Sequence, residues 1–187
     1  MSIVARFDGS YRHLLDGSYN IGIGYTIKDN NLNVLCNNSQ YELANEMNSY
    51  FAESVAMIEL LEKLEEYQNQ TIEIIGDCKI LIEAIDGKIN GKSFFIQCQY
   101  IKLLLLNLRE KNNVFIKWEQ REQNKECDKL SKIKKTFSFY YKNSNNKCIK
   151  IKLKSHTRED AYIRFVKLSQ KILESELSTK KRIKNVC

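Results

Sequence analysis

The sequence predicts an α/β fold: a five-stranded mixed sheet flanked by helices, then a small strand-strand-helix extension at the C-terminal end. Two observations point to it. The first forty residues hold three strand-like apolar segments, and from Ser49 to about residue 135 helical apolar stripes alternate with short apolar strands. A third observation, a change in charge after residue 128, marks where the body gives way to the extension. At 187 residues there is room for one well-buried domain and an appendage. The expected division is 1–135 for the body and 136–187 for the extension.

The first strand is Ile3-Val4-Ala5-Arg6-Phe7, closed by Asp8-Gly9-Ser10. That order places Asp8 at the carboxyl end of a strand, where open α/β sheets hold their chemistry. A loop is expected over Tyr11–Ser18, then a second strand over Tyr19–Ile27 through Ile21, Ile23 and Tyr25. Asp29-Asn30-Asn31 marks a turn, and Leu32–Cys36 reads as the third strand of a meander. Gly22 and Gly24 remove side chains from one face of the second strand, and with no helix after them they do not form a dinucleotide fingerprint.

From Ser49, Phe51, Val55, Met57 or Ile58, Leu61 and Leu64 fall on one helical stripe, with Glu59, Glu62, Lys63, Glu65 and Glu66 elsewhere. Thr71–Ile75 is a strand ending at Gly76-Asp77, and Lys79–Ile85 a helix closed by Asp86-Gly87. A long helix is expected over Ser93–Lys111 through Phe95, Cys98, Ile101, Leu104, Leu105 and Leu108. Val114–Trp118 is the last strand of the body, and Asn124–Lys135 the helix after it. In the extension, Phe137–Tyr141 and Cys148–Lys154 read as strands joined by an asparagine-rich turn. The second alternates Ile149, Ile151 and Leu153 with Lys150, Lys152 and Lys154, one face apolar and one cationic. Thr157-Arg158-Glu159-Asp160 then opens a helix in capping-box style, with Ala161, Phe165, Leu168 and Ile172 on its stripe and its end within residues 178–182.

Composition excludes several classes. There is no apolar run of membrane-spanning length and no secretory leader, so a soluble cytoplasmic protein is expected. Six cysteines occur without any Cys-x-x-Cys pair and with only two histidines beside them. They read as reduced thiols, neither a zinc site nor a disulfide framework. The net charge of +7 conceals a split. Residues 1–128 hold 13 Lys+Arg against 19 Asp+Glu, whereas residues 129–187 hold 17 against 4. A basic tail on an acidic body points to a polyanionic partner, nucleic acid before membrane, since no strongly apolar helix face accompanies the lysines. No protein partner is legible.

Four acids stand out by position: Asp8 after strand one, Glu53 at the start of the first helix, Asp77 after strand four and Asp128 in the helix after strand five. Strands one and four are expected to be neighbours, which brings Asp8 and Asp77 together. Glu53 falls on the core-facing side of its helix, an expensive place for an unpaired acid. Clustered carboxylates repel unless cations sit among them, and an oxygen-only donor set suits Mg²⁺ or Mn²⁺ better than zinc.

These residues resemble the type I ribonuclease H family, including its reverse-transcriptase-like branch. The matching stretches are Phe7-Asp8-Gly9-Ser10, Gly22-Ile23-Gly24, Ala52-Glu53 with the helix it opens, Ile75-Gly76-Asp77-Cys78, and Trp118 with the run Arg121 to Leu130 that contains Asn124 and Asp128. The likeness covers residues 1 to about 135. It implies an Asp-Glu-Asp-Asp site of Asp8, Glu53, Asp77 and Asp128 holding two Mg²⁺ ions, with Mn²⁺ as substitute, in a ribonuclease H-like sheet. It further implies hydrolysis of the RNA strand of RNA/DNA hybrids to 5′-phosphate and 3′-hydroxyl ends, with Ser10, Lys79, Arg121 and Asn124 toward nucleic acid. Lys150, Lys152 and Lys154 join them from the extension. The alternatives are a ribonuclease H-like binder without turnover, or a related nuclease acting on DNA. Three features depart from the family pattern. Arg12-His13-Leu14-Leu15-Asp16 replaces an Asn-Pro-Gly loop, Ser49-Tyr50 replaces paired asparagines, and residues 119–123 stand where many members carry a mobile histidine.

Overall fold

Ile3, Ala5 and Phe7 alternate along the first strand and are fully buried, so one face of that strand faces a core from its second residue onward. The computed structural model describes residues 2–13, 19–44, 48–90, 94–132, 134–143, 145, 147–155 and 158–184. The chain divides into two compact units, the second beginning at Lys134. In the first, strands β1 (Ser2–His13), β2 (Tyr19–Asp29), β3 (Val34–Ala44), β4 (Thr71–Gly76) and β5 (Asn113–Trp118) form one sheet in the order β3-β2-β1-β4-β5. The meander β1-β2-β3 is antiparallel, while β1, β4 and β5 run parallel, giving the expected mixed sheet. Helices α1 (Ser49–Leu64), α2 (Lys79–Ile85), α3 (Phe95–Lys111) and α4 (Lys125–Leu130) complete the unit.

Several elements differ from the sequence expectation, each for a local reason. β1 continues past Ser10 to His13 because β2 keeps pairing with it, His13 opposite Tyr19. The loop expected at Tyr11–Ser18 is therefore strand as far as His13, and residues 14–18 lie outside the described residues. Asp8 is thus in mid-strand, yet it lies just beyond the last parallel pair with β4, Arg6 opposite Ile75. Leu32, at φ 63°, is taken up by the turn that Asp29 builds by accepting from the backbone of Asn31 and Asn33, so β3 starts at Val34.

The core face of α1 is carried by Ala52, Ala56, Met57, Leu60, Leu61 and Leu64, while Phe51, Val55 and Ile58 sit at its margin. Small residues face the sheet because the helix lies close to it. On α3, Phe94 just before the helix is buried and Phe95 is exposed, whereas Cys98, Ile101, Leu104, Leu105 and Leu108 face inward as expected. α4 stops at Leu130 and does not reach Lys135, since Ser131 turns its hydroxyl toward β1 and a new strand begins at Lys135.

Two glycines set the distance between layers. A Cβ on Gly9 would lie 2.2 Å from the carbonyl carbon and oxygen of Ala52 and 2.4 Å from the Glu53 nitrogen. A Cβ on Gly24 would lie 2.5 Å from the Cys127 oxygen and the Ser131 nitrogen. Gly9 and Asp8 point to opposite faces, and Gly24 pairs with Asp8, so α1 covers one face of the sheet and α4 the other.

The second unit is built from β6 (Lys135–Lys142), antiparallel to β7 (Cys148–Ser155), and helix α5 (Arg158–Lys184). Its own small core joins Phe139, Ala161 and Phe165, with Tyr141, Ile151, Leu153 and Val166 against it. Leu168 is exposed, the helix runs on beyond residues 178–182 to Lys184, and Thr157 lies outside the described residues. No helix among the described residues is long and apolar enough to cross a membrane.

Gly9→Ala tests the layer spacing. The methyl meets backbone, which cannot rotate away, so we expect a loss of about 3 kcal/mol or more in urea unfolding. A loss below about 1 kcal/mol would mean that the two layers separate easily.

Candidate metal centre

Asn48 caps α1 by accepting from the Tyr50 backbone N–H at 2.9 Å, which fixes where the helix starts. Its first turns then pass over Gly9, and the Glu53 carboxylate accepts from the Gly9 backbone N–H at 3.1 Å. Asp8, the next residue back along β1, is buried. Asp77 follows β4, where Gly76 leaves room for the Phe7 ring, and its backbone carbonyl accepts from the Trp118 indole N–H at 2.9 Å. Three elements remote in sequence thereby bring Asp8, Glu53 and Asp77 together, with one carboxylate oxygen of each within 4.8 Å of the others.

Electrostatics at this cluster is unfavourable as it stands. Burial pushes the Asp8 carboxyl up to about 6, with Asp77 and Asp128 adding repulsion and the Ser131 hydroxyl and Lys132 opposing it. That hydroxyl donates to Asp8 Oδ2 at 2.5 Å. Glu53 is held well above the usual carboxylate range, first by burial and then by the charges of Asp8 and Asp77. One Asp77 oxygen, Oδ1, is buried and finds no hydrogen-bond partner among the described residues. Cys78, beside Glu53, has its thiol pushed up to about 12 by burial and offers no thiolate. Three convergent carboxylates, one with an orphaned buried oxygen, form a donor set that fits a hard divalent cation.

Asp128 is placed differently. Its Oδ1 accepts from Arg121 at 2.7 Å and from Lys132, one helical turn on. Burial acts to raise its carboxyl, but these two cations outweigh it and hold it below the usual range. It stands near enough to repel Asp8 without being one of the three convergent acids.

The other candidate residues divide by exposure. Lys79 is exposed, its ammonium 5.8 Å from the Trp118 ring and 3.7 Å from Glu83. Arg121 is exposed apart from its bond to Asp128. Ser10 donates to the Ser131 carbonyl at 2.7 Å, which ties β1 to the end of α4. Asn124, expected toward nucleic acid, is instead buried, its amide donating to the Phe7 carbonyl at 2.7 Å, and so it anchors the start of α4 to β1. Sequence reasoning missed Ser131 and Lys132. They stand three and four residues after Asp128, the spacing at which helix neighbours meet, and that spacing was the available signal.

A family model described as reverse transcriptase-like matches residues 6–134, more than half of the chain. The chain belongs to the reverse transcriptase-like family. Among solved structures, the ribonuclease H1 of the halophilic archaeon Halobacterium salinarum NRC-1 is similar, at 20% identity and TM-score 0.56 over 70% of this chain and 94% of that one. So is the N-terminal ribonuclease H domain from Mycobacterium tuberculosis, at 18% identity and TM-score 0.57 over 70% and 95%. LC11-RNase H1, isolated from compost by a metagenomic approach and solved in complex with an RNA/DNA hybrid, is 24% identical at TM-score 0.55, over 69% and 93%. At these identities the likeness is one of fold: the first unit is a ribonuclease H-like domain. Among curated proteins no significant match is found.

The raised Asp8 and Glu53 carboxyls make a signed prediction for the metal-free protein. A carboxyl whose folded value lies above its unfolded one stabilises the fold while protonated, and that contribution is lost as pH rises from near 4 through about 6. Asn at position 8 carries no charge, so the stability of Asp8→Asn relative to wild type should increase over the same range in EDTA. Parallel urea midpoints for the two proteins from pH 4 to 7.5 would show instead that Asp8 does not experience this repulsion.

Proposed function

We propose that the ribonuclease H-like unit, residues 1–135, is an endonuclease that hydrolyses the RNA strand of RNA/DNA hybrids, leaving 5′-phosphate and 3′-hydroxyl ends. The single observation that carries this reading is the convergence of Asp8, Glu53 and Asp77 from β1, α1 and the end of β4. Membership of the reverse transcriptase-like family and the hybrid-bound LC11 ribonuclease H1 among the structures sharing the fold support it. Residues that would hold metal are Asp8, Glu53 and Asp77, with Asp128 as the fourth once it exchanges Arg121 or Lys132 for a cation. Two Mg²⁺ ions, or Mn²⁺ in their place, would supply charge neutralisation and an activated water for an in-line phosphodiester displacement.

The chain's own residues do the remaining work. Asp8 sits in a sheet strand and is held by Ser131, and the backbone carbonyl of Asp77 is itself pinned by Trp118, so two of the acids stand on rigid supports. Glu53 is oriented by the Gly9 amide, and its carboxylate is the candidate to meet a ribose hydroxyl, the group that distinguishes RNA from DNA. Lys79, exposed two residues past Asp77, is available to a phosphate, and Arg121 lies beside Asp128 for the same purpose once that pair opens. A cytoplasmic, nucleic-acid-directed role accords with this chemistry.

End-labelled RNA/DNA hybrid, duplex DNA and duplex RNA, each incubated with Mg²⁺ or with EDTA, test the reading directly. Cleavage of the RNA strand of the hybrid alone, abolished by EDTA, is expected. Asp77→Asn should fold normally and lose at least about a thousandfold in rate, because a ligand of the activating cation is gone. Asp77→Asn cleaving near the wild-type rate would remove this residue from the site, and cleavage of duplex DNA alone would reassign the substrate.

A further inference from the structure

Outside the carboxylate site, the largest concentration of unused chemistry is in the second unit. Residues 134–155 contain seven lysines and neither Asp nor Glu, so their charge has no acidic partner within the hairpin. The register of β6 and β7 places Tyr140 opposite Lys150 and Ser138 opposite Lys152. Burial alternates along β7, with Lys150, Lys152 and Lys154 exposed while Ile149, Ile151 and Leu153 are partly covered. Ser138, Tyr140 and Lys142 of β6 are exposed on the face of those lysines. The opposite face carries Phe139, Ile151 and Leu153 and is closed by Ala161 and Phe165 of α5.

One face of the hairpin is thus committed to packing and the other is a flat platform. Lysines two apart on a strand are spaced by roughly 6.6 Å, so the three of β7 form a row about 13 Å long. Beside it stands Tyr140, 59% exposed, with the Lys150 ammonium 5.5 Å from its ring centre. A cationic row that follows a backbone, next to an open aromatic ring on which a base can stack, is the arrangement that holds single-stranded nucleic acid. A membrane surface fits less well. Adsorption needs apolar side chains pointing the same way as the lysines, and here Ile151 and Leu153 of β7 pack against the unit's own core.

We propose that this face binds a single strand of RNA or DNA, with phosphates along Lys150, Lys152 and Lys154 and an unpaired base on Tyr140. The second unit is then a nucleic-acid-binding module whose preference for unpaired bases is separate from the chemistry of the carboxylate site. It would hold single-stranded stretches adjoining whatever the first unit acts on.

The test uses the full-length chain in EDTA, so that the outcome does not depend on cleavage. Binding of fluorescein-labelled single-stranded 15-mers of RNA and DNA, and of a blunt duplex, is followed by anisotropy between 50 and 300 mM salt on the order of the usual working range. The combined Lys150→Gln, Lys152→Gln and Lys154→Gln variant should lose roughly tenfold or more in affinity, and its slope of log K against log salt on single strands should become shallower by about two, roughly 0.7 per phosphate contact. Tyr140→Ala should weaken single-strand binding roughly tenfold and blunt-duplex binding little, and Tyr140→Phe should restore the loss, because stacking needs the ring and not the hydroxyl. Unchanged thermal unfolding shows that each variant keeps its fold. Affinity and salt slope equal to wild type in the lysine variant would overturn the proposal, as would a Tyr140→Ala effect that is equal on single strands and duplex. Binding to vesicles containing phosphatidylserine without binding to either single strand would also overturn it, assigning the face to a membrane surface.

Discussion

The closeness of α1 to β1 at Gly9 is the constraint on which the rest of the first unit depends. Backbone meets backbone there, with no side chain between Gly9 and the Ala52–Glu53 peptide. That contact draws small residues, Ala52 and Ala56, onto the inner face of α1 and moves the larger Phe51, Val55 and Ile58 to its margin. It also brings the Glu53 carboxylate within hydrogen-bond distance of the Gly9 amide, one residue from Asp8. The same feature that packs the helix on the sheet thus sets the separation of two acids. Gly24 performs the matching service on the other face, letting α4 lie on β2 and deliver Ser131 to Asp8.

Charge is distributed unevenly around this frame. Asp8, Glu53 and Asp77 converge, and burial with mutual repulsion raises Asp8 and Glu53 despite the partial opposition of Lys132 and Arg121. Asp128, only a short distance away, is compensated twice over by Arg121 and Lys132. A folded protein keeps uncompensated buried acids at a cost in stability, and such costs concentrate at functional sites. The convergent three are therefore the informative group, and the well-satisfied fourth differs from them in what a bound cation must first displace.

The second unit answers a different physical problem. Two strands and one helix bury little apolar surface, and the core of Phe139, Ala161 and Phe165, with Tyr141, Ile151 and Leu153 against it, draws on one face of the strands. The other face is left to lysines, whose mutual repulsion is tolerable in water and relieved by a polyanion. Alternation along β7 thus fixes both halves of the design at once, since a shift of one residue would bury the lysines.

Period and punctuation in the sequence determined the order of elements, the mixed character of the sheet and the two faces of β7. These are local properties, set by alternation, helical spacing and turn residues such as Asp29 and Gly87. The acids were legible too, because Asp8 and Asp77 each follow an apolar strand and Glu53 opens the clearest helix. Tertiary structure alone decided how far β1 runs, since its extension to His13 comes from pairing with β2 rather than from its own residues. It decided that Phe94 and not Phe95 enters the core, and that Asn124 turns inward to the Phe7 carbonyl. It also separated Asp128 from the other three acids. Which partner a polar side chain finds depends on what the fold brings within about 3 Å of it, and that distance is set by layers packing across the sheet, between residues more than a hundred positions apart such as Asp8 and Ser131.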